Sequence, residues 1–289
     1  MAIKKILVTG ANGQLGWELS QLASAYPTFN FIFLDRTGLD LAQPATFEKV
    51  INDMAPDAII NTAAYTAVDK AEHEKELAHT VNALAVGALA SISKQKGIKF
   101  ITYSTDYVFN GVSTTPFLPH TPLQAINSYG SSKAAGEKMA QANNEASIII
   151  RTSWVFSSHG NNFVKTMIRL MKEKTSLKIV GDQHGRPTYA RDLALTTIKM
   201  IEAINAGKAI QGIYHYANTG ETTWYKFAEK IKALAGLSCA LEAITTNEFP
   251  TPAPRPAYAV LDTQKIENEL SITIPHWETS LKECIQKLS

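Results

Sequence analysis

A glycine-rich turn near the start of the chain limits the possible fold more than any other stretch. Gly10, Gly13 and Gly16 follow an apolar run at positions 6–8, and leucines recur at helical spacing directly after them. A buried strand, a glycine turn and an amphipathic helix, in that order, are typical of a dinucleotide-binding βαβ unit. In such a unit Gly10 permits a tight turn, Gly13 lets a pyrophosphate approach the backbone, and Gly16 lets helix and strand pack closely. The alternative is a glycine turn that only connects a strand to a helix.

Strand and helix patterns alternate through the first half of the chain. The sequence predicts strands at 6–9, 30–34, 58–61, 99–104 and 147–150, and helices at 15–25, 45–54, 78–96 and 131–143. This alternation predicts an α/β fold, a Rossmann-type doubly wound parallel sheet with helices on both faces. Residues 1–156 are expected to form an NAD(P)-binding Rossmann domain with returning segments near 176–206. Residues 157–289 are expected to form a smaller, discontinuous C-terminal substrate-binding lobe.

The second half of the chain has a less regular pattern. Residues 153–156 and 177–180 are predicted to be further strands of the sheet. Helices are predicted at 163–174, 191–206, 224–234 and 280–288, and the amphipathic helix at 191–206 is expected to return to the first domain. Proline-rich segments at 116–122 and 250–256 are predicted loops, and the first of them is a candidate flap.

Charge and composition exclude several classes of protein. The 289 residues carry a net charge of +2 with scattered lysines, so we expect no binding to nucleic acid. No apolar run approaches the length of a membrane span, and the first residues lead directly into a predicted strand. We therefore expect neither a signal peptide nor a membrane partner, and a cytoplasmic location. Cys239 and Cys284 stand apart from each other and from the histidines, which predicts buried thiols and no protein-built metal site.

Two residues of opposite charge follow the second predicted strand. Asp35 lies about twenty residues beyond the glycine turn, where an acid binds the adenosine ribose hydroxyls. Arg36 follows at once, and a guanidinium here would suit the 2′-phosphate of NADP, although an exposed loop charge is the alternative. The two signals conflict, so the sequence predicts NADH or NADPH without choosing between them. Asp40 would either cap the next helix or contact the adenine edge.

The residues best suited to chemistry come after the fourth predicted strand. Thr105 and Asp106 end that strand, where a substrate would meet the cofactor. Tyr129 and Lys133 are four positions apart, so their side chains share one face of a helix. A neighbouring ammonium favours the phenolate, which predicts a lowered pKa for Tyr129 and proton exchange with an oxygen at the reacting carbon. An exposed Tyr–Lys pair is the alternative.

Taken together, these motifs resemble those of a known family. The chain resembles the extended short-chain dehydrogenase/reductases in three motifs, Thr9-Gly10-x-x-Gly13-x-x-Gly16, Ser104-Thr105 and Tyr129-x-x-x-Lys133. Within that family it is similar to the dTDP-4-dehydrorhamnose reductases, which it resembles at 13–19, 64–72, 103–109, 151–156, 160–163, 182–188, 212–215, 222–225 and 252–256. Related 4,6-dehydratases carry Asp-Glu after the strand-end threonine, whereas here Asp106 is followed by Tyr107.

The resemblance implies hydride transfer from NADPH or NADH to C4 of dTDP-4-dehydro-L-rhamnose, which gives dTDP-L-rhamnose for surface polysaccharide. It implies that Tyr129 donates the proton, that Lys133 binds the nicotinamide ribose and tunes Tyr129, and that Thr105 hydrogen-bonds the carbonyl. Asp106 and Trp154 are implied substrate contacts, Trp154 as an aromatic platform or else as a core tryptophan. Besides the glycines, the implied cofactor contacts are Gln14, Leu15, Asp35, Arg36, Asp40, Leu41, Ala63, Ala64, Tyr65, Tyr129 and Lys133.

Several alternatives stay open at the level of sequence. Arg255 either pairs with the diphosphate of the dTDP-sugar or packs within its proline-rich segment. A related epimerase or dehydratase is the alternative enzyme. A non-catalytic subunit like the regulatory subunit of methionine adenosyltransferase is the alternative binding protein. Some family members bind Mg²⁺ at a dimer interface through glutamates that have no match here, so Mg²⁺ and the choice between monomer and homodimer stay open.

Overall fold

The computed structural model describes residues 2–288. The predicted domain ranges begin at Met1 and end at Ser289, both outside the described residues, and the division into two domains stays a prediction. Within 2–288 the strands are β1 Lys5–Thr9, β2 Asn30–Leu34, β3 Ala58–Asn61, β4 Lys99–Thr105, β5 Ile148–Thr152, β6 Val155–Phe156, β7 Ser176–Val180, β8 His184–Gly185, β9 Thr188–Tyr189, β10 Gly212–His215, β11 Thr222–Thr223 and β12 Ala240–Ile244. The α-helices are α1 Gln14–Leu22, α2 Phe47–Met54, α3 Lys75–His79, α4 Ala85–Lys96, α5 Ser128–Asn143, α6 Phe163–Glu173, α7 Ala190–Asn205, α8 Trp224–Leu234, α9 Gln264–Leu270 and α10 Trp277–Gln286.

Six of the described strands form one parallel sheet at the centre of the molecule. Their order is β2-β1-β3-β4-β5-β10, and each neighbouring pair is parallel. Because β1 lies between β2 and β3, the order of winding reverses at β1, and such a reversal opens a crevice at the carboxyl ends of the strands. The predicted Rossmann-type α/β fold is confirmed.

Helices cover both faces of this sheet because its strands are apolar on both sides. Ile6 and Val8 of β1 pack in one core with α1 and α7, whereas Leu7 packs in a second core with α2 and α4. A parallel strand buried on both faces reads as a continuous apolar run, and this is the pattern at 6–8. As predicted, the helix expected at 191–206 returns to the sheet.

The short strands after β5 do not extend the central sheet, so that prediction for 153–156 and 177–180 is wrong. β6 is a two-residue strand that pairs with β9, and β7 pairs with β12 in a separate two-stranded sheet. The last strand of the central sheet is β10 instead. The physical reason is visible in β7, where Ile179 is buried but Ser176 and Lys178 are exposed. A strand with one solvated face suits a peripheral sheet better than a sheet covered on both sides.

A separate core lies in the C-terminal half of the chain. Phe156, Tyr189 and Phe227 pack there with α10 and α6. Cys239 and Cys284 are buried in the same core as free thiols, as predicted. Among the described residues, no helix is both long and apolar enough to cross a membrane.

Candidate active site

The glycine turn has the backbone shape that the sequence predicts. Gly10 has a φ of +72°, which disfavours a side chain, and a Cβ there would lie 2.7 Å from the backbone nitrogen of Ala63. A Cβ at Gly16 would collide with the Gly10 carbonyl oxygen, so the first turn of α1 packs directly on the loop. Gly13 is the N-cap of α1 and has no side chain to engage the N–H groups of that turn. Those N–H groups and the helix dipole favour a bound anion such as a phosphate.

The first two residues of α1 face different surroundings. The Gln14 side-chain oxygen accepts a hydrogen bond from Asn162 Nδ2 at 2.9 Å, so it connects the glycine turn to the segment that precedes α6. Leu15 is partly buried and packs against the core beneath α1. Of these two predicted cofactor contacts, Gln14 therefore has a polar group beside the turn, and Leu15 contributes apolar packing.

Asp35 sits at the end of β2 in a turn that occupies most of its carboxylate. Oδ1 accepts hydrogen bonds from the Thr37 backbone N–H at 2.9 Å and hydroxyl at 2.6 Å, and Oδ2 accepts one from Asn12 Nδ2 at 3.2 Å. The bonds from Thr37 lower the pKa of Asp35. Arg36 is exposed and lies 3.3 Å from Asp40. This places the two signals for cofactor choice side by side next to the glycine turn.

The remaining predicted cofactor residues lie in different surroundings. Leu41 is buried in the core under α2, while Ala63 lies against Gly10 and Ala64 is partly buried. The backbone of Tyr65 is held at both ends by Asn82, which accepts from its N–H at 2.9 Å and donates to its carbonyl at 3.0 Å.

Four predicted residues meet at the carboxyl end of β4. Thr105 is the last residue of β4, Asp106 follows it, and Tyr129 and Lys133 lie in the first two turns of α5. The Thr105 hydroxyl donates to Asp106 Oδ1 at 2.8 Å, and it lies beside the Tyr129 side chain. Lys133 Nζ donates to the carbonyl of Tyr103, on β4, at 2.7 Å. The helix and the strand end therefore share one polar centre.

Local sequence fixes how closely α5 approaches this strand end. Asn127 is the N-cap of α5 and accepts a hydrogen bond from the Gly130 N–H at 2.7 Å. A Cβ at Gly130 would collide with the Tyr107 carbonyl, so glycine is needed for this approach. The rings of Tyr107 and Tyr129 then meet edge to face with centroids 5.7 Å apart. This contact restricts the orientation of the Tyr129 phenol.

Burial is the main influence on the pKa values of the side chains in this polar centre. Burial raises the pKa of Tyr129 to about 12, against an opposing effect of its hydrogen bond with Thr105. Burial also lowers the pKa of Lys133 to about 8 and raises that of Asp106 to about 7. The predicted lowering of the Tyr129 pKa is therefore wrong, because desolvation outweighs any attraction from Lys133, whose ammonium is bonded to a carbonyl. Tyr129 is protonated near neutral pH, as a free tyrosine is, and the protonated phenol is the form that can donate a proton.

Trp154 lies just beyond β5, whose Thr152 pairs in register with Thr105. Its backbone is left-handed, with φ of +47°, and its indole stacks on Trp224 with centroids 3.6 Å apart. A Cβ at Gly185 would lie 2.6 Å from the Trp154 ring. A strained backbone at a bulky residue that follows a sheet strand is a common feature of functional sites.

Arg255 is held beside Tyr107 by a hydrogen-bonded ion pair with Asp69. Nη2 donates to Asp69 Oδ2 at 2.8 Å, and the guanidinium carbon lies 6.0 Å from the centroid of the Tyr107 ring. Nη1 is buried and has no hydrogen-bond partner. The structure thus places the Arg255 guanidinium beside Tyr107, whose ring packs on Tyr129.

Some residues of the site were not predicted from sequence. Asp69 and the ring of Tyr107 gave no signal, since nothing in the pattern shows that they meet Arg255. Glu137 and Arg151 form a buried ion pair behind α5, with Arg151 Nη2 2.6 Å from Glu137 Oε2. A signal for this pair does exist, because an arginine directly follows the apolar run 148–150 of a buried strand. Within 2–288, no group of three or more acidic, histidine or cysteine side chains is arranged to hold a metal ion.

Comparison with known proteins identifies the family. The chain matches the family model described as the RmlD substrate binding domain over residues 4–289. It is 39% identical to the dTDP-4-dehydrorhamnose reductase of Burkholderia thailandensis, over 98% of this chain and 99% of that protein. It is also 39% identical to the Salmonella typhimurium enzyme of the same name, over 98% of this chain and 97% of the other. The crystal structure of dTDP-4-dehydrorhamnose reductase from Bacillus anthracis in complex with NADP matches with a TM-score of 0.93 at 36% identity, covering 99% of this chain and 100% of that one.

These matches extend over nearly the whole chain and include both the glycine turn and the polar centre at the end of β4. The identities are well above the level at which only the fold is shared. The chain therefore belongs to the RmlD family, the family of the dTDP-4-dehydrorhamnose reductases.

Proposed function

We propose that this protein reduces the C4 carbonyl of dTDP-4-dehydro-L-rhamnose to dTDP-L-rhamnose, with NADPH or NADH as the hydride donor, in dTDP-rhamnose biosynthesis for surface polysaccharide. One observation carries the proposal: Tyr129 and Lys133, on α5, meet Thr105 and Asp106 at the carboxyl edge of the sheet. The similarity to named reductases over nearly the whole chain supports the choice of substrate.

The residues beside the sheet crevice fit a nicotinamide dinucleotide. The N–H groups at the start of α1 suit a pyrophosphate, and the close approach of Gly10 and Ala63 leaves backbone rather than side chains at the turn. We assign the ribose end to Asp35 and Arg36, and the nicotinamide ribose to Lys133. When bound, the reduced nicotinamide supplies the hydride. The relative solved with NADP supports NADPH, and the acid at Asp35 supports NADH.

Reduction requires the protein to deliver one proton and to orient the carbonyl. As the C4–O π bond breaks, C4 accepts the hydride and the oxygen accepts the phenolic proton of Tyr129. Thr105 hydrogen-bonds the same oxygen and holds it within reach of the phenol. The Lys133 ammonium stabilises the phenolate that remains until Tyr129 is reprotonated from solvent.

Three further residues are proposed to bind the dTDP-sugar. Arg255, oriented by the bond from its Nη2 to Asp69, is assigned to the diphosphate. Trp154 offers a rigid aromatic face to the sugar. Asp106 offers a carboxyl oxygen that has no partner within the chain. Together these groups would place the sugar over the Tyr129 hydroxyl.

The alternative activities have less support. A dehydratase of the related type carries a second acid after Asp106, but here Tyr107 takes that position and packs on Tyr129. A non-catalytic regulatory subunit would not need a proton donor, and the proton-donor group is complete in this chain.

We propose a cytoplasmic location, because nucleotide sugars and nicotinamide coenzymes are both made and used there. The proposed assembly is a monomer or a homodimer. A role for Mg²⁺ rests on family resemblance alone.

The decisive experiment mixes the purified protein with NADPH and the 4-keto sugar nucleotide and follows the absorbance of the reduced nicotinamide. We expect the parent protein to oxidise NADPH only when the sugar is present. Tyr129→Phe should lose most of the turnover, at least about a hundredfold, but should keep its affinity for NADPH. Tyr26→Phe removes a hydroxyl at the far end of α1 and serves as the matched control. Normal turnover by Tyr129→Phe would remove the proton-donor role from Tyr129.

A further inference from the structure

A buried ion pair lies directly behind the catalytic helix. Arg151, on β5, is 1% exposed, and Glu137, on α5, is 3% exposed. Arg151 Nε donates to Glu137 Oε1 at 2.9 Å, and Nη2 donates to Oε2 at 2.6 Å. Two parallel bonds of this kind fix both the position and the plane of the carboxylate. Removing two charges from water costs free energy, so a buried ion pair adds little to the stability of a fold. The presence of this pair therefore needs another explanation.

Glu137 stands one helical turn beyond Lys133 on the same face of α5. Lys133 is 5% exposed, and Nζ donates to the Tyr103 carbonyl. A single carbonyl is modest compensation for an ammonium removed from water. Burial lowers the pKa of Lys133, and the negative charge of Glu137 opposes that change. Glu137 is therefore the one group of opposite charge that favours the charged form of this lysine in the described chain.

Other contacts hold Arg151 in place without competing for Lys133. Nη1 donates to the Pro119 carbonyl at 2.9 Å and lies 3.2 Å from Nε2 of His215, on β10. Burial and the neighbouring Arg151 lower the pKa of His215 to about 3, so this histidine is neutral at working pH. On β4, burial raises the pKa of Tyr103 well above its usual value, so it is neutral too. The permanent charges nearest Lys133 are thus those of Glu137 and Arg151, and Asp106, in the same polar centre, has a pKa that burial raises to about 7.

We propose that Glu137 is a positioning residue for Lys133: Arg151 clamps the Glu137 carboxylate, and the carboxylate in turn keeps the Lys133 ammonium charged and in place at β4. The inference rests on the proposed function, in which that ammonium supports Tyr129. Glu137 itself touches neither the phenol nor the strand end. It acts through the lysine.

The test measures the ionisation of Lys133 directly, in the protein without added substrate. Nitrogen NMR of the lysine side chains is recorded as a function of pH, and the Lys133 resonance is assigned with Lys133→Met. In the parent, Lys133 should titrate near pH 8. In Glu137→Gln the midpoint should fall by about half a pH unit or more, because one favourable charge on the next helical turn is lost. Glu145→Gln makes the same change in an exposed glutamate paired with Lys94, and should leave the Lys133 midpoint in place.

A second variant separates this role from a purely structural one. Glu137→Gln leaves the Arg151 cation unpaired in the core and should lower the thermal midpoint. Glu137→Gln combined with Arg151→Met removes both charges and should recover much of that loss, while the Lys133 midpoint should rise part of the way back because a neighbouring cation is removed too. If the Lys133 midpoint is unchanged in Glu137→Gln, or falls further in the double variant, the Glu137 carboxylate does not act on Lys133 through its charge.

Activity measurements then distinguish this inference from the proposed function. The alkaline limb of kcat/KM for the 4-keto sugar should move to lower pH in Glu137→Gln. At pH values above this limb, kcat/KM should fall about threefold or more, because half a pH unit corresponds to a factor of about three. A parent protein without reductase activity would refute the proposed function and would leave the NMR result standing. An active parent with an unshifted Lys133 in Glu137→Gln would refute the inference alone.

Discussion

Asp106→Asn should change how the stability of the protein depends on pH. Asp106 is 2% exposed, with one carboxylate oxygen bonded to Thr105 and the other without a partner. Burial raises its pKa from 3.8 to about 7. Between those values the folded chain keeps a proton that the unfolded chain has released. The free energy of unfolding should therefore fall as the pH rises through this window, because the native state must bury a charge above pH 7.

The size of this effect follows from the two pKa values. At about 1.4 kcal/mol for each pKa unit, Asp106 should remove about 2.5 kcal/mol from the free energy of unfolding between about pH 5 and about pH 8. Asparagine cannot titrate, so the variant lacks this contribution. Its amide leaves a buried donor unpaired, which costs about 1–3 kcal/mol at either pH. The parent should therefore be the more stable protein at about pH 5. The difference in the free energy of unfolding between the parent and the variant, in favour of the parent, should be smaller by about 2.5 kcal/mol at about pH 8.

Urea denaturation of both proteins at the two pH values, followed by tryptophan fluorescence, measures this difference. Asp53→Asn makes the same chemical change in an exposed carboxylate on α2 that pairs with Lys49, and controls for the substitution itself. Equal free-energy differences between the parent and Asp106→Asn at the two pH values would show that Asp106 is already charged at the lower one. The account of a carboxyl neutralised by burial would then fail.

Three further outcomes are expected. Gly16→Ala should weaken NADPH binding at least about tenfold, measured by fluorescence titration, because its Cβ would collide with Gly10 and displace the turn. Asn82→Ala should lower the free energy of unfolding by about 1–3 kcal/mol in urea titration, because it leaves both backbone groups of Tyr65 unpaired. Arg255→Lys should raise the KM for the dTDP-sugar with little change in the Kd for NADPH, because an ammonium cannot reproduce the fork of donors. A variant with the parent's KM would exclude Arg255 from the diphosphate site.

The parallel sheet and its order of elements were predictable because they depend on local pattern. The apolar run at 6–8, the glycine turn and the helix after it all reflect residues close together in the chain. The positions of β7 and β10 were not predictable in the same way. Both are short strands, and the choice of partner depends on which face the rest of the fold covers. That information is not local.

In the active site, too, the features set by local sequence were predictable and those set by distant contacts were not. The spacing of Tyr129 and Lys133 predicts a shared helix face, and the structure has both in the first turns of α5. The direction of the Tyr129 pKa was not predictable, because it depends on how much water the surrounding elements exclude. The partnership of Asp69 with Arg255 joins residues 186 positions apart. No periodicity reports a contact of that kind.

Label transfer tests the central claim most directly. NADPH carrying deuterium at the transferred position of the nicotinamide is incubated with the protein and dTDP-4-dehydro-L-rhamnose, and the product sugar is analysed by proton NMR and mass spectrometry. Our account predicts dTDP-L-rhamnose with one deuterium on C4, and very little of it from Tyr129→Phe. A product without deuterium at C4, or NADPH that stays reduced in the presence of the sugar, would contradict it.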